Sequence, residues 1–284
     1  RNGEPKTIKA PSKPMPLDSE INTDFIELRN IANDAAKQAS EYILQENGNK
    51  ALQNIKSSSS DYVTEADKQA EALIVSIVKD ARPQDGFLGE EGASEKGRSN
   101  VQWVIDPIDG TTNFIYGHSG YGPSVAAKVG GEVVAGAVAD SSHGEVFDAA
   151  KGYGARCNGE GITLEKSTTL ETALVATGFS YKDADRITQA EILLSIIPHI
   201  ADIRRMGSAA IDLCSVAKGR VDAFFETGLN EWDFAAGMLI ASEAGATTVM
   251  VSDFAGKNLT LAVNPSIEEQ FMSLLYSAAL NVNS

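Results

Sequence analysis

The segment Trp103-Val-Ile-Asp-Pro-Ile-Asp-Gly-Thr-Thr-Asn-Phe114 constrains this chain more than any other. Its first three residues are apolar and read as a short buried strand that delivers Asp106 at its carboxyl end. Pro107 fixes φ and withdraws a donor, so the strand ladder is expected to stop there. Asp109 follows three residues after Asp106, and the turn between them lets both carboxylates point into one space. Gly110 permits close backbone approach, and Thr111-Thr112 opens a short helix whose unpaired N–H groups form an anion site. Two carboxylates beside a phosphate cradle would repel the phosphate unless a divalent cation lay between them. Hard, oxygen-only ligands with waters suit Mg²⁺. An ordinary turn after a core strand would use the same residue types, so this segment alone leaves both readings open.

The chain of 284 residues carries 24 Lys+Arg against 39 Asp+Glu, a formal charge of -15. That excess argues against sequence-independent nucleic-acid binding and against docking on anionic membranes. It would also repel an anionic substrate, a difficulty that a bound cation removes. The two cysteines, Cys157 and Cys214, lack CxxC spacing and read as buried, reduced thiols. The three histidines are scattered without HxxxH or HExxH spacing, which argues against a His-based metal site. With no apolar run long enough to span a bilayer and no apolar signal core, the expected location is the cytoplasm.

Residues 1–22, rich in Pro and Lys, read as a disordered arm, and 23–284 as a single domain. Apolar spacing predicts helices over about 24–45 and 64–80, the second opened by a Thr64/Asp67 capping box. Residues 124–129 and 132–139 flank Gly130-Gly131, a two-residue hairpin signal, with a third strand at 145–149. Further strands are expected at 174–177, 223–226, 248–251 and 259–263, and helices at about 188–198, 208–218, 233–244 and 267–280. This mixed order predicts layered sheets with helices between and outside them.

Three other acidic segments are each unremarkable alone. Gly89-Glu90-Glu91-Gly92 reads as a solvated loop, Asp233 beside Trp232 as a helix N-cap, and Asp61 to Asp67 as a cap. Together, in order, they resemble the inositol monophosphatase family: Asp61-Tyr-Val-Thr-Glu-Ala-Asp67, Gly89-Glu-Glu91, Asp106 to Phe114, and Trp232-Asp-Phe-Ala-Ala-Gly237 with Glu243-Ala-Gly245. Asn158-Gly159 and Met206 to Cys214 extend the likeness over roughly residues 24–281, and it is strongest to bacterial, actinobacterial-type members.

That resemblance implies an α/β/α/β/α layered sandwich, usually a homodimer, which hydrolyses phosphate monoesters with two or three Mg²⁺ ions. Glu90, Asp106 and the Ile108 carbonyl would hold one ion, and Asp106, Asp109 and Asp233 a second. Glu90 would share a third near Asp67, with Lys56 close by. Gly110 and Thr111 would donate backbone N–H groups to phosphate, while Thr111 and Asp67 activate water. Gly207, Ser208, Ala209 and Glu226 would face the inositol hydroxyls. Myo-inositol 1-phosphate is the implied substrate. Histidinol phosphate is the rival, which would want further acids and aromatic contacts near Glu226 and residues 178–187. A non-catalytic role with the transcription machinery, as some bacterial members have, is the alternative from another class. Glu231 adds negative charge near the metals, and the glycine-rich loop 115–123 departs from the family pattern. Its Gly117-His-Ser-Gly-Tyr121 lacks the second glycine of a nucleophile elbow, which argues against a serine hydrolase.

Overall fold

A computed structural model describes residues 7–9, 24–46, 52–55, 62–165 and 167–282, with the backbone alone described at 7–9, 52–55 and 62–63. Lys56, Asp61, the expected loop at Ser57 to Ser60 and most of the expected N-terminal arm lie outside the described residues. Within that arm the backbone of β1 (Thr7–Lys9) pairs antiparallel with residues 249–251.

Alternation along the strands builds two large sheets. The short pair β2 (Leu52–Ile55) and β3 (Tyr62–Thr64) stands apart. The eight-stranded sheet comprises β4 (Gly86–Gly89), β5 (Ser94–Glu95), β6 (Val101–Asp109), β7 (Gly122–Val129), β8 (Glu132–Asp140), β9 (Glu145–Ala150), β10 (Ala155–Cys157) and β11 (Glu160–Ile162). Their spatial order is β11-β10-β9-β8-β7-β6-β4-β5. The six-stranded sheet adds β12 (Leu174–Thr177), β13 (Asp202–Arg204), β14 (Ala223–Thr227), β15 (Thr247–Phe254) and β16 (Lys257–Val263), in the order β1-β15-β16-β14-β12-β13. Gly130 and Gly131, both at positive φ, close the β7–β8 hairpin as expected.

The helices are α1 (Phe25–Gln45), α2 (Glu65–Ala81), α3 (Thr111–Tyr116), α4 (Asp183–Ile196), α5 (Ala209–Ala217), α6 (Glu231–Glu243) and α7 (Glu268–Val282). Trp103, Ile105, Val125 and Ala127 pack against Leu28, Ala32, Ile74 and Val78 of α1 and α2. Val104, Ala126 and Phe147 instead meet Ala210, Cys214, Ala236 and Ile240 of α5 and α6. The other side of those inner helices meets Ala176, Phe224 and Ala262 of the second sheet. Val175, Phe225 and Leu261 turn outward to α4 and α7. The five layers are therefore α/β/α/β/α, as the family resemblance implied. Lying between two sheets, α6 is apolar throughout from Phe234 to Ala241, as a helix buried on all sides must be. Both cysteines are buried and free.

One expected element shifts. Helix α4 starts at Asp183 rather than near 188, because its polar first turn carries no apolar periodicity.

Glu145 fastens the start of β9 to the α5–β14 turn. Its carboxylate accepts from Lys218 Nζ at 2.5 Å and from Arg220 Nη1 and Nη2 at 2.6 and 2.7 Å. The Arg220 guanidinium, ahead of Lys218, lowers its pKa to about 2 from 4.5. A carboxylate depressed in the folded state contributes stability that is full above 4.5 and vanishes as pH falls through about 2. Since both cations are partly exposed, its worth at neutral pH is about 1–2 kcal/mol rather than the full value of the shift. Glu145→Gln should lower the urea midpoint at pH 7, and its deficit should shrink steadily below pH 4.5. A deficit that stays constant from pH 7 to pH 3 would contradict this.

Candidate active site

Period-two alternation places Asp106 on the same side of β6 as Val104, toward the inner helices. The strand does not stop at Pro107 as expected. Asp106 pairs with Ser124 and Asp109 with Gly122, so three steps on β6 oppose two on β7. This bulge absorbs Pro107, which has no N–H to give, and re-aims the acids that flank it. Asp106 Oδ1 accepts from Ile108 N at 3.0 Å. Asp109 Oδ2 accepts from Ser208 Oγ and from Ala210 N, both at 2.7 Å, at the start of α5.

Glu90 follows β4, where its N–H donates to Ile105 O at 3.1 Å. The loop beyond is held by Glu71 of α2, whose carboxylate accepts from Glu91 N at 2.9 Å and Ala93 N at 2.8 Å. That placement brings Glu90 within hydrogen-bond reach of Asp106. Asp67 occupies the third position of α2. Thr64 N donates to its Oδ2 at 2.7 Å while its own N–H donates to Thr64 Oγ1 at 3.3 Å, the capping box expected from the sequence, and Thr64 Oγ1 also donates to Oδ2 at 2.5 Å. Its Oδ1 faces Thr111 Oγ1 at 3.1 Å, and the same hydroxyl lies 2.9 Å from Ile108 O. Asp233 is not the N-cap of α6, the plain reading of its position. Asn230 is the N-cap, and its N–H donates to Asp233 Oδ2 at 2.7 Å.

Burial pushes up the pKa of each of these aspartates, and their neighbours are mostly further acids. For Asp106 the additional causes are Glu90, Asp109 and Asp233. For Asp233 they are Asp109, then Glu90. Asp109 rises to about 6, held down in part by the donors from Ala210 and Ser208. Burial likewise raises Asp67, opposed by its bonds to Thr64 and Thr111. Among the described residues no three His, Cys, Asp or Glu side chains form a ready-made metal cage. The donor chemistry nevertheless fits Mg²⁺. These are oxygen ligands whose mutual repulsion in a desolvated space a divalent cation would relieve.

Beside these acids lies a cavity of about 120 Å³, bounded by Asp109, Gly207, Ser208, Ala209, Glu226 and Asp233. Six of the residues expected to face the substrate thus line one cavity, while Gly110 and Thr111, also expected there, lie outside that lining with Asp67, Glu90 and Asp106. The Gly110 amide, expected to face phosphate, donates to the Asp109 carboxylate. Two other expectations are refined. Glu231 forms an ion pair with Lys128, which offsets its charge. The 115–123 loop is pinned by Asn113 Nδ2, which donates to Gly120 O at 2.8 Å and Met206 O at 2.7 Å. Sequence reasoning missed Asp212 and Arg205, which also line the cavity, and Glu71. Asp212 and Glu71 sit within helices like ordinary surface acids, and no spacing signal marks them.

With this geometry in view, comparison with known proteins identifies the chain. The model described as "Inositol monophosphatase family" matches residues 24–281. The chain belongs to the inositol monophosphatase family. It is 44% identical over 231 residues to the inositol-1-monophosphatase SuhB of Mycobacterium tuberculosis, covering 78% of this chain and 80% of that protein. It is 43% identical over 231 residues to the Nus factor SuhB of Vibrio cholerae, covering 80% and 85%. The solved structure of Mycobacterium tuberculosis SuhB superposes with a TM-score of 0.79 at 39% identity, covering 90% of this chain and 98% of that one.

Gly110 offers a test of the site's framework. Its φ is +87°, and a Cβ there would stand 2.6 Å from Gly120 O. Gly110→Ala should cost about 2–4 kcal/mol through left-handed strain and overpacking. Calorimetry should register this as a melting temperature several degrees lower, and a mutant that melts with wild type would contradict it.

Proposed function

We propose that this protein is a Mg²⁺-dependent phosphate monoester hydrolase with myo-inositol 1-phosphate among its preferred substrates. The observation that carries the proposal is the convergence of Glu90, Asp106, Asp109 and Asp233 beside the cavity edged by Gly207 to Ala209 and Glu226. The likeness to a mycobacterial inositol-1-monophosphatase supports the choice of substrate.

In this reading Glu90, Asp106 and the Ile108 carbonyl would hold one Mg²⁺, and Asp106, Asp109 and Asp233 a second. Asp67 stands beside Glu90 for a third. Bound there, the metal neutralises phosphate charge and acidifies water. The chain's own groups do the rest. Thr111 Oγ1 orients the attacking water, and Asp67 receives its proton through that hydroxyl, its pKa raised toward that task by burial. Gly110 and Thr111 amides turn to the phosphate when it displaces Asp109 from the Gly110 N–H. Glu226 and Ser208 hold the alcohol half of the ester. No covalent nucleophile is required.

A second reading, association with the transcription machinery, is favoured by the likeness to the Vibrio cholerae Nus factor SuhB. Retention of RNA polymerase subunits on the immobilised protein would support it.

The test of the main reading is phosphate release from a panel of monoesters. Activity should vanish in EDTA and return with Mg²⁺, and myo-inositol 1-phosphate should rank among the better substrates. Full turnover in excess chelator would overturn the proposal.

A further inference from the structure

The cavity wall contains a second acid that nothing in the phosphate chemistry uses. Asp212, in the first turn of α5, is 2% exposed, and its Oδ1 has no hydrogen-bond partner among the described residues. An acid near a helix N-terminus gains from the dipole. That gain is small beside the penalty of burying a carboxyl oxygen without a partner. Its nearest charged neighbours are Glu226, Asp109 and Arg205, and it lines the same cavity as all three.

The wall around it is shaped by two glycines. Glu226 lies across Gly178, where a Cβ would stand 2.0 Å from Glu226 Oε2. Arg205 lies across Gly207, where a Cβ would stand 2.5 Å from Arg205 Nη1. Small residues at 178 and 207 therefore let Glu226 and Arg205 lie against the wall beside Asp212.

We propose that Asp212 is a specificity-determining residue: together with Glu226 it forms a carboxyl pair that receives two hydroxyl groups of the alcohol half of the ester. This rests on the phosphatase reading above. A hydroxyl both donates and accepts, so two of them can satisfy two carboxyl groups in whatever protonation state they share. Burial pushes Glu226 to about 8, against the pull of Arg205, so at neutral pH it offers a donor as well as an acceptor. An ammonium group would find its positive charge already supplied by Arg205, which faces both acids. The pair thus fits a neutral polyol better than an amino alcohol, although Phe179 and Tyr181 also line the cavity.

The experiment compares kcat/KM for myo-inositol 1-phosphate with that for p-nitrophenyl phosphate, in wild type and in Asp212→Leu. The substitution roughly keeps the side chain's shape and removes both oxygens. The polyol-to-aryl ratio should fall about tenfold, the worth of roughly one hydrogen bond to the substrate, mainly through KM for the polyol. A purely structural role would shift both esters alike, so a ratio within twofold of wild type overturns the proposal. If wild type releases phosphate from neither ester, the phosphatase reading itself falls. Should Asp212→Leu fail to melt cooperatively, wild type alone still decides. A deoxy analogue lacking two vicinal hydroxyls should lose about tenfold in kcat/KM. Equal turnover of that analogue, or a preference for an aminated ester, would overturn the assignment.

Discussion

Gathering like-charged carboxylates in one desolvated space is the constraint that the rest of this structure serves. Unrelieved, such acids repel one another and resist ionisation. The fold answers first with helix ends. Asp67 is tied into the first turn of α2, Asp109 accepts from the Ala210 amide at the start of α5, and Asp233 is tied into the first turn of α6. Three helix N-termini, each bearing partial positive charge, are thereby aimed at the acids. The layering makes this possible, because α5 and α6 run between the sheets and start where β6 and β14 deliver Asp109 and Glu226.

The second answer, in the proposed reading, would be a bound cation, and it bears on the charge of the whole protein. At -15 the molecule would repel a phosphate ester at long range. In the proposed reading, metal ions held by the acids would invert that field locally and draw an anionic ester toward them. Positive groups near the cavity are sparse. Arg205 lines the cavity with Glu226 and Asp212, and its charge partly offsets theirs.

Much of this was legible in the sequence, for identifiable reasons. Asp106 and Asp109 stood out because an apolar strand ending in Asp-Pro and Asp-Gly signals its own geometry. The Thr64/Asp67 box was readable because capping is local. The layered fold followed from the mixed order of strands and helices and from the family resemblance. The continuation of β6 past Pro107 was not readable, since the bulge exists only through the register with β7. Glu71, Arg205 and Asp212 were equally hidden. Glu71 grips Glu91 and Ala93 across a long sequence separation, and Arg205 and Asp212 matter only through the cavity that the folded chain assembles around them.

The central claim is that the converging acids are spaced for a cation, and thermal unfolding of wild type and Asp233→Asn, each in EDTA and in Mg²⁺, tests it most directly. Asparagine retains the oxygen that accepts from Asn230 N but removes one charge. Mg²⁺ at tenfold excess over its Kd should stabilise wild type by about 1.4 kcal/mol, which at roughly 2–4 °C per kcal/mol raises the melting temperature by about 3–6 °C. The account predicts that the mutant melts at or above wild type in EDTA and gains clearly less from Mg²⁺. A wild type indifferent to Mg²⁺, or a mutant that gains as much as wild type, would contradict it.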